Sequence, residues 1–105
     1  MTDKFYHLIG EQEWISAKAG AHYAPESLSK EGFIHFSLKS QLEGVVERFY
    51  SQRTDLLVLV IDRNKLRAPV RFERAHGEEF PHLYGPLNLD AVIEVVRYQS
   101  FQPER

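Results

Sequence analysis

The segment Lys30–Gln41, KEGFIHFSLKSQ, holds a turn, a strand and the entry to a helix in one short run. Gly32 marks the turn. Phe33 to Phe36 has the aromatic and β-branched content of a strand, and Ser40 with Glu43 has the spacing of a capping box, predicting a helix from Ser40 to about Gln52. Strand alternation places Phe33 and His35 on one face and Ile34 and Phe36 on the other. One imidazole therefore stands in an otherwise apolar strand, just past a glycine and at the mouth of a helix. That placement suits a ligand site, and it also suits a half-buried structural histidine bonded to a neighbouring carbonyl.

Towards the N-terminus, Lys4–Ile9 (KFYHLI) is a predicted strand closed by Gly10, with His7 near its end. Glu11–Ala19 has the spacing of a short amphipathic helix, with Trp14 as a core anchor and Gly20 as the stop. Residues 21–29 read as a loop with a helical turn begun by Pro25. Towards the C-terminus, the helix carries Leu42, Val45, Val46, Phe49 and Tyr50 on its core side. Its solvated back carries Glu43, Glu47 and Arg48, to which no chemistry is assigned.

Asp55–Asp62 (DLLVLVID) is apolar almost throughout, as a strand covered on both faces at the middle of a sheet would be. Val70–Arg74 alternates like an edge strand. Ala75–Pro86 (AHGEEFPHLYGP) contains two prolines and two glycines, which predicts a stiffened loop presenting His82 and Tyr84 rather than a core strand. A helical turn at Asn88–Asp90 leads into a last strand at about Val92–Tyr98. The expected fold is α+β, one domain over residues 1–105, with a split mixed β-sheet and two or three flanking helices.

Composition narrows the function. A chain of 105 residues that is 43% hydrophobic has room for one core. The net charge of −2, with no block of like charge, disfavours nucleic acid as a partner. The absence of cysteine removes disulfides, thiolate metal sites and a cysteine nucleophile. No apolar run approaches the roughly 20 residues of a membrane span, so a soluble, cytoplasmic protein is expected.

The side chains able to do chemistry are His7, His22, His35, His76 and His82, the acids Glu73, Glu78 and Glu79, and Tyr84 with Arg71 and Arg74. Neither HExxH nor HxH occurs, so no local metal-ligand signature is present and no metal is expected. The GxSxG elbow and the glycine-rich phosphate loops are also missing.

The phrases YHLI (Tyr6–Ile9), EGFIHFS (Glu31–Ser37) and FPHLYGPL (Phe80–Leu87), in that order and over essentially the whole chain, resemble the small bacterial family catalogued as domain of unknown function 952. At the fold level that family is similar to the ADP-ribosyltransferase superfamily, whose members bind NAD in a cleft of a split β-sheet. The resemblance puts the first site position on His7 and the second on His35. The third falls on Glu79 or the adjoining His82, ahead of Tyr84-Gly85-Pro86, and the site acid is open among Glu73, Glu78 and Glu79.

It implies that His7 bonds the nicotinamide-side ribose hydroxyls and that His35 stacks on the nicotinamide or bonds ribose or phosphate. Glu79 would stabilise an oxocarbenium-like centre, and His82 and Arg71 would hold pyrophosphate oxygens. Tyr84, Glu73 and Ser37 complete the implied ligand-binding set. The implied activity is metal-independent ADP-ribosyl transfer or glycosyl cleavage with NAD as substrate. The alternative is a non-catalytic module binding a nucleotide-like or small anionic ligand in the same histidine-lined cleft. Imidazole contacts to phosphate would weaken anion binding as pH rises through about 6.5.

Overall fold

The computed structural model describes residues 3–100. Its centre is the apolar run expected there: β4 (Leu56–Asp62) is flanked by β1 (Lys4–Gly10) and β8 (Val92–Arg97) in the order β1-β4-β8. The sheet is covered on both sides, which is why β4 has no polar alternation. On one side Phe5, Ile9, Leu57, Leu59 and Ile61 meet Ile34 and Leu83 from a second sheet, with Phe36 just past its first strand. On the other, Tyr6, Leu8, Val58 and Val60 meet α3 (Leu42–Phe49) through Leu42, Val45 and Val46.

The second sheet has the order β3-β6-β5, formed by β3 (Ile34–His35), β6 (Glu78–Leu83) and β5 (Val70–Ala75). A two-stranded ribbon pairs β2 (His22–Tyr23) with β7 (Leu87–Asn88). Two short helices, α1 (Glu11–Ala17) and α2 (Glu26–Glu31), precede β2 and β3. The first and second sheets are linked where the chain leaves β3: Tyr6 donates to the Ser37 carbonyl at 2.9 Å and Ser37 donates to the Tyr6 carbonyl at 2.7 Å. The α+β class and the division of the sheet thus hold.

Four expectations are corrected. The pairings among the described residues are all antiparallel, so the sheet is not mixed. The reversal from β5 to β6 passes through His76 and Gly77, whose φ values of 52° and 82° supply the left-handed pair of a tight hairpin turn.

The stretch from Ala75 to Pro86 is not a loop, because β6 runs through Pro81 as the middle strand of its sheet. The Pro81 carbonyl accepts from the Phe36 amide at 3.0 Å, so its backbone polar groups face the β3 side. There β3 has already ended, and the missing N–H breaks no strand ladder.

The entry to α3 is not capped by Ser40 and Glu43. A 3-10 turn, Lys39–Gln41, comes first, and the buried Gln41 side chain accepts from the Leu38 amide at 2.9 Å. Phe49 does not face the core; it is 58% exposed and meets His76 at 5.5 Å between ring centroids.

Other expectations held in place. Trp14 packs half-buried against the core, and the last strand follows a 3-10 turn at Leu89–Ala91. Among the described residues no helix is long and apolar enough to cross a membrane.

Two glycines carry backbone constraints of different kinds. Gly32 caps α2 at φ 90° with open space around it, whereas a methyl group on Gly85 (φ 156°) would lie 2.7 Å from the Ala68 Cβ. Gly32→Ala is expected to cost about 1–2 kcal/mol from the left-handed backbone alone. Gly85→Ala is expected to cost more, since overpacking adds to backbone strain. Urea denaturation of the two variants in parallel tests the order; equal losses would mean that Ala68 yields freely.

Candidate functional site

The second sheet turns one face to the core and the other to a cavity. Ile34, Phe36, Pro81 and Leu83 are on the buried side, so Phe33, His35, His82 and Tyr84 point the opposite way. His35 and His82 are direct cross-strand partners, as are His82 and Arg71, and their side chains stand in one row. A cavity of about 900 Å³ opens over this face, within the range of ordinary ligand pockets. His7, Ser37, Glu73, Phe33 and Tyr84 share its lining with the two histidines.

His82 is the least exposed of the three imidazoles. Its side chain is 8% exposed, and the ring lies 4.0 Å from that of Phe33 between centroids at an interplanar angle of 13° and meets the edge of His35 at 5.3 Å. Its Nδ1 is 2.7 Å from Oε1 of Glu73, and the Tyr84 hydroxyl donates to that same oxygen at 2.6 Å. Tyr84 and His82 hold the Glu73 carboxyl below the usual carboxylate range, and Glu73 in turn raises Tyr84. An ionised Glu73 accepts only, so the His82 proton sits on Nδ1. His35 is more open and places Nε2 at 2.8 Å from Glu31, one helical turn earlier on α2.

His7 approaches from β1, below the backbone of His35. Its Nδ1 donates to the His35 carbonyl at 2.7 Å, and Nε2 is 3.3 Å from the Tyr23 hydroxyl. Tyr23 also reaches Oε2 of Glu13 at 3.0 Å. Its one proton therefore has two acceptors, the carboxylate and a neutral His7 Nε2. Burial pulls the His7 imidazole down to about 4, against the upward pull of the bond to the His35 carbonyl. Burial and the Glu13 charge push Tyr23 up, so it stays a phenol.

A different chemistry lines the margin at the end of α3 and the β5–β6 turn. Arg48, Phe49, Arg74 and His76 border the cavity there. Arg48 lies 5.7 Å from the Phe49 ring, which in turn meets His76. Neither arginine has a carboxylate partner among the described residues. The cavity thus has carboxylates beside its histidines and unpaired guanidinium groups at one margin.

Of the residues singled out in the sequence, His7, His35, His82, Tyr84, Glu73 and Ser37 come together on this cavity. Glu79 does not: it is exposed on β6 and outside the lining, and its backbone carbonyl accepts from Gln41 at 2.8 Å. Glu78 also binds Gln41, at 3.2 Å. Strand parity separates Glu79 from His82, so Glu73, on the neighbouring strand, is the acid that reaches the imidazole. Arg71 is outside the lining too, with its guanidinium 5.1 Å over the Tyr84 ring. His22 is exposed on β2, away from the lining.

Sequence reasoning passed over Tyr23, Glu13, Glu31, Phe33, Arg48 and Phe49 as site residues. Only Phe33 had a legible signal, since it shares a strand face with His35. Among the described residues no group of three or more His, Cys, Asp or Glu side chains is placed to hold a metal ion.

The model of the family described as "Protein of unknown function (DUF952)" matches residues 8–95, and the chain belongs to this family. Comparison with curated proteins gives no match. The crystal structure of protein CC0527 from Caulobacter crescentus is similar at 26% identity and a TM-score of 0.79, covering 89% of this chain and 83% of that one. The solution NMR structure of CC0527 gives 26% identity and a TM-score of 0.78 over 91% and 84%. Neither is described as an ADP-ribosyltransferase, so these likenesses establish the family and its fold and leave that superfamily as an expectation.

The lowered His7 pKa has a consequence for stability. With a folded value of about 4 and an unfolded value near 6.5, the unfolded chain binds the extra proton between those values. Stability contributed by neutral His7 is fully present above about pH 6.5. It is lost as pH falls towards 4, by on the order of 2–3 kcal/mol. Denaturant titrations of wild type and His7→Gln should show a difference that shrinks across this window on acidification. A difference that stays flat from pH 7 to 4 would contradict a neutral, buried His7.

Proposed function

We propose that the cavity binds the ribosyl end of NAD or a related ribosyl nucleotide and that the protein cleaves or transfers at the anomeric carbon without a metal. This is the chemistry of the ADP-ribosyltransferase superfamily. The observation that carries the reading is the convergence of His7, His35 and His82, from three separate strands, on one cavity.

Each imidazole is linked to a carboxylate: His82 to Glu73, His35 to Glu31, and His7 through Tyr23 to Glu13. Such a wall is matched to sugar hydroxyls and to positive charge developing at an oxocarbenium-like carbon. It is poorly matched to pyrophosphate, for which Arg48 and Arg74 at the other margin are the better partners. The acid that this reading joins to the site is Glu73 in place of Glu79, acting through its bond to His82, and the phosphate contacts pass from His82 and Arg71 to those two arginines.

A second reading, a binding module without turnover, is favoured by one observation. Glu79, the acid that the superfamily pattern points to, lies outside the lining.

Incubation with NAD separates the two. Nicotinamide release above that of a His35→Ala variant, unaffected by EDTA, supports the enzyme; NAD binding without release leaves the module. Absence of both removes NAD as the ligand. Replacing Arg48 and Arg74 together with Ala is expected to weaken NAD binding about tenfold or more and to flatten its salt dependence. Unchanged affinity would take the phosphates away from that margin.

A further inference from the structure

We infer that Glu73 and His82 form an acid–base pair in which Nε2 of His82 takes the proton of the attacking water or hydroxyl. The inference rests on the ribosyl reading for its substrate, but its geometry stands apart from it. Nδ1 of His82 is committed to the Glu73 carboxylate at 2.7 Å, which leaves the lone pair on Nε2. Among the described residues Nε2 has no partner, although the side chain is only 8% exposed. Among the described residues no solvent-inaccessible side-chain nitrogen or oxygen lacks a partner, so Nε2 must open to the cavity that His82 lines.

The ring has little freedom to turn. It lies against Phe33 at 4.0 Å, and the Tyr84 hydroxyl, 2.6 Å from the same Glu73 oxygen, fixes the carboxylate that orients it. An oriented, mostly buried imidazole with one free lone pair is the arrangement of a general base. It asks for a donor, an O–H, and repels the oxygen of a phosphate.

In the step this assigns, a water or alcohol oxygen forms the new bond to the anomeric carbon and its proton passes to Nε2. The bond from that carbon to the pyridinium nitrogen breaks with its electron pair on nitrogen, and nicotinamide leaves neutral. The imidazolium, still donating from Nδ1 to Glu73, then returns its proton to solvent. His82 is the catalytic residue and Glu73 the positioning residue.

Long-range proton–nitrogen NMR spectra of the free, 15N-labelled protein test the geometry directly. His82 is expected as the neutral Nδ1–H tautomer near pH 7.5, and Glu73→Gln is expected to move population to the Nε2–H form. With NAD as the probe, His82→Gln is expected to lower nicotinamide release about 10²-fold with NAD affinity nearly unchanged, and Glu73→Gln to lower release as well. An Nε2–H or cationic His82 in the wild type, or full turnover by His82→Gln, would overturn the pair. Should the wild type release no nicotinamide, the ribosyl reading fails, and the tautomer spectrum alone decides whether the pair exists.

Discussion

Two backbone hydrogen bonds, between Tyr6 and Ser37, set the geometry on which the cavity depends. They fasten the chain leaving β3 to the edge of β1, so the two sheets diverge from a shared line with apolar side chains between them. His35 is two residues before that line and His7 one residue after Tyr6. The short distance from His7 to the His35 carbonyl follows from this register. A slip of one residue at Tyr6 would turn His7 to the face that packs on α3 and remove it from the cavity.

The charge pattern of the cavity is a product of sheet parity and pairing. Residues two apart on β5 and β6 share a face, and the β5–β6 register brings Glu73 next to His82. The carboxylates are contributed by three different elements, α1, α2 and β5, and each answers to a different imidazole. The half-buried Glu73 is held as an anion by two donors, a stable arrangement in a confined place. The arginines, by contrast, are exposed and at the margin, where a guanidinium loses little hydration while waiting for a partner.

Much of this frame could be read in the chain. The unbroken apolar run of β4 announced a strand covered twice, and alternation around His35 assigned both of its faces. What escaped was governed by distant partners. Pro81 argues against a central strand on local grounds, and only the early end of β3 makes its missing N–H harmless. Phe49 follows the helical period of Leu42 and Val45 but falls on the last turn of α3, where His76 meets it. Tyr23 and Glu13 carry no local mark of a site, because their meaning comes from His7 arriving on another strand. The choice among Glu73, Glu78 and Glu79 likewise needed the β5–β6 register.

The single tryptophan has a practical bearing on all of this. Trp14 is half-buried against the core and borders a separate shallow depression, outside the histidine-lined cavity. Its fluorescence is therefore an indicator of whether the chain is folded and is largely blind to what occupies the histidine wall. Folding can therefore be followed optically in this molecule, whatever occupies the cavity, without introducing a label.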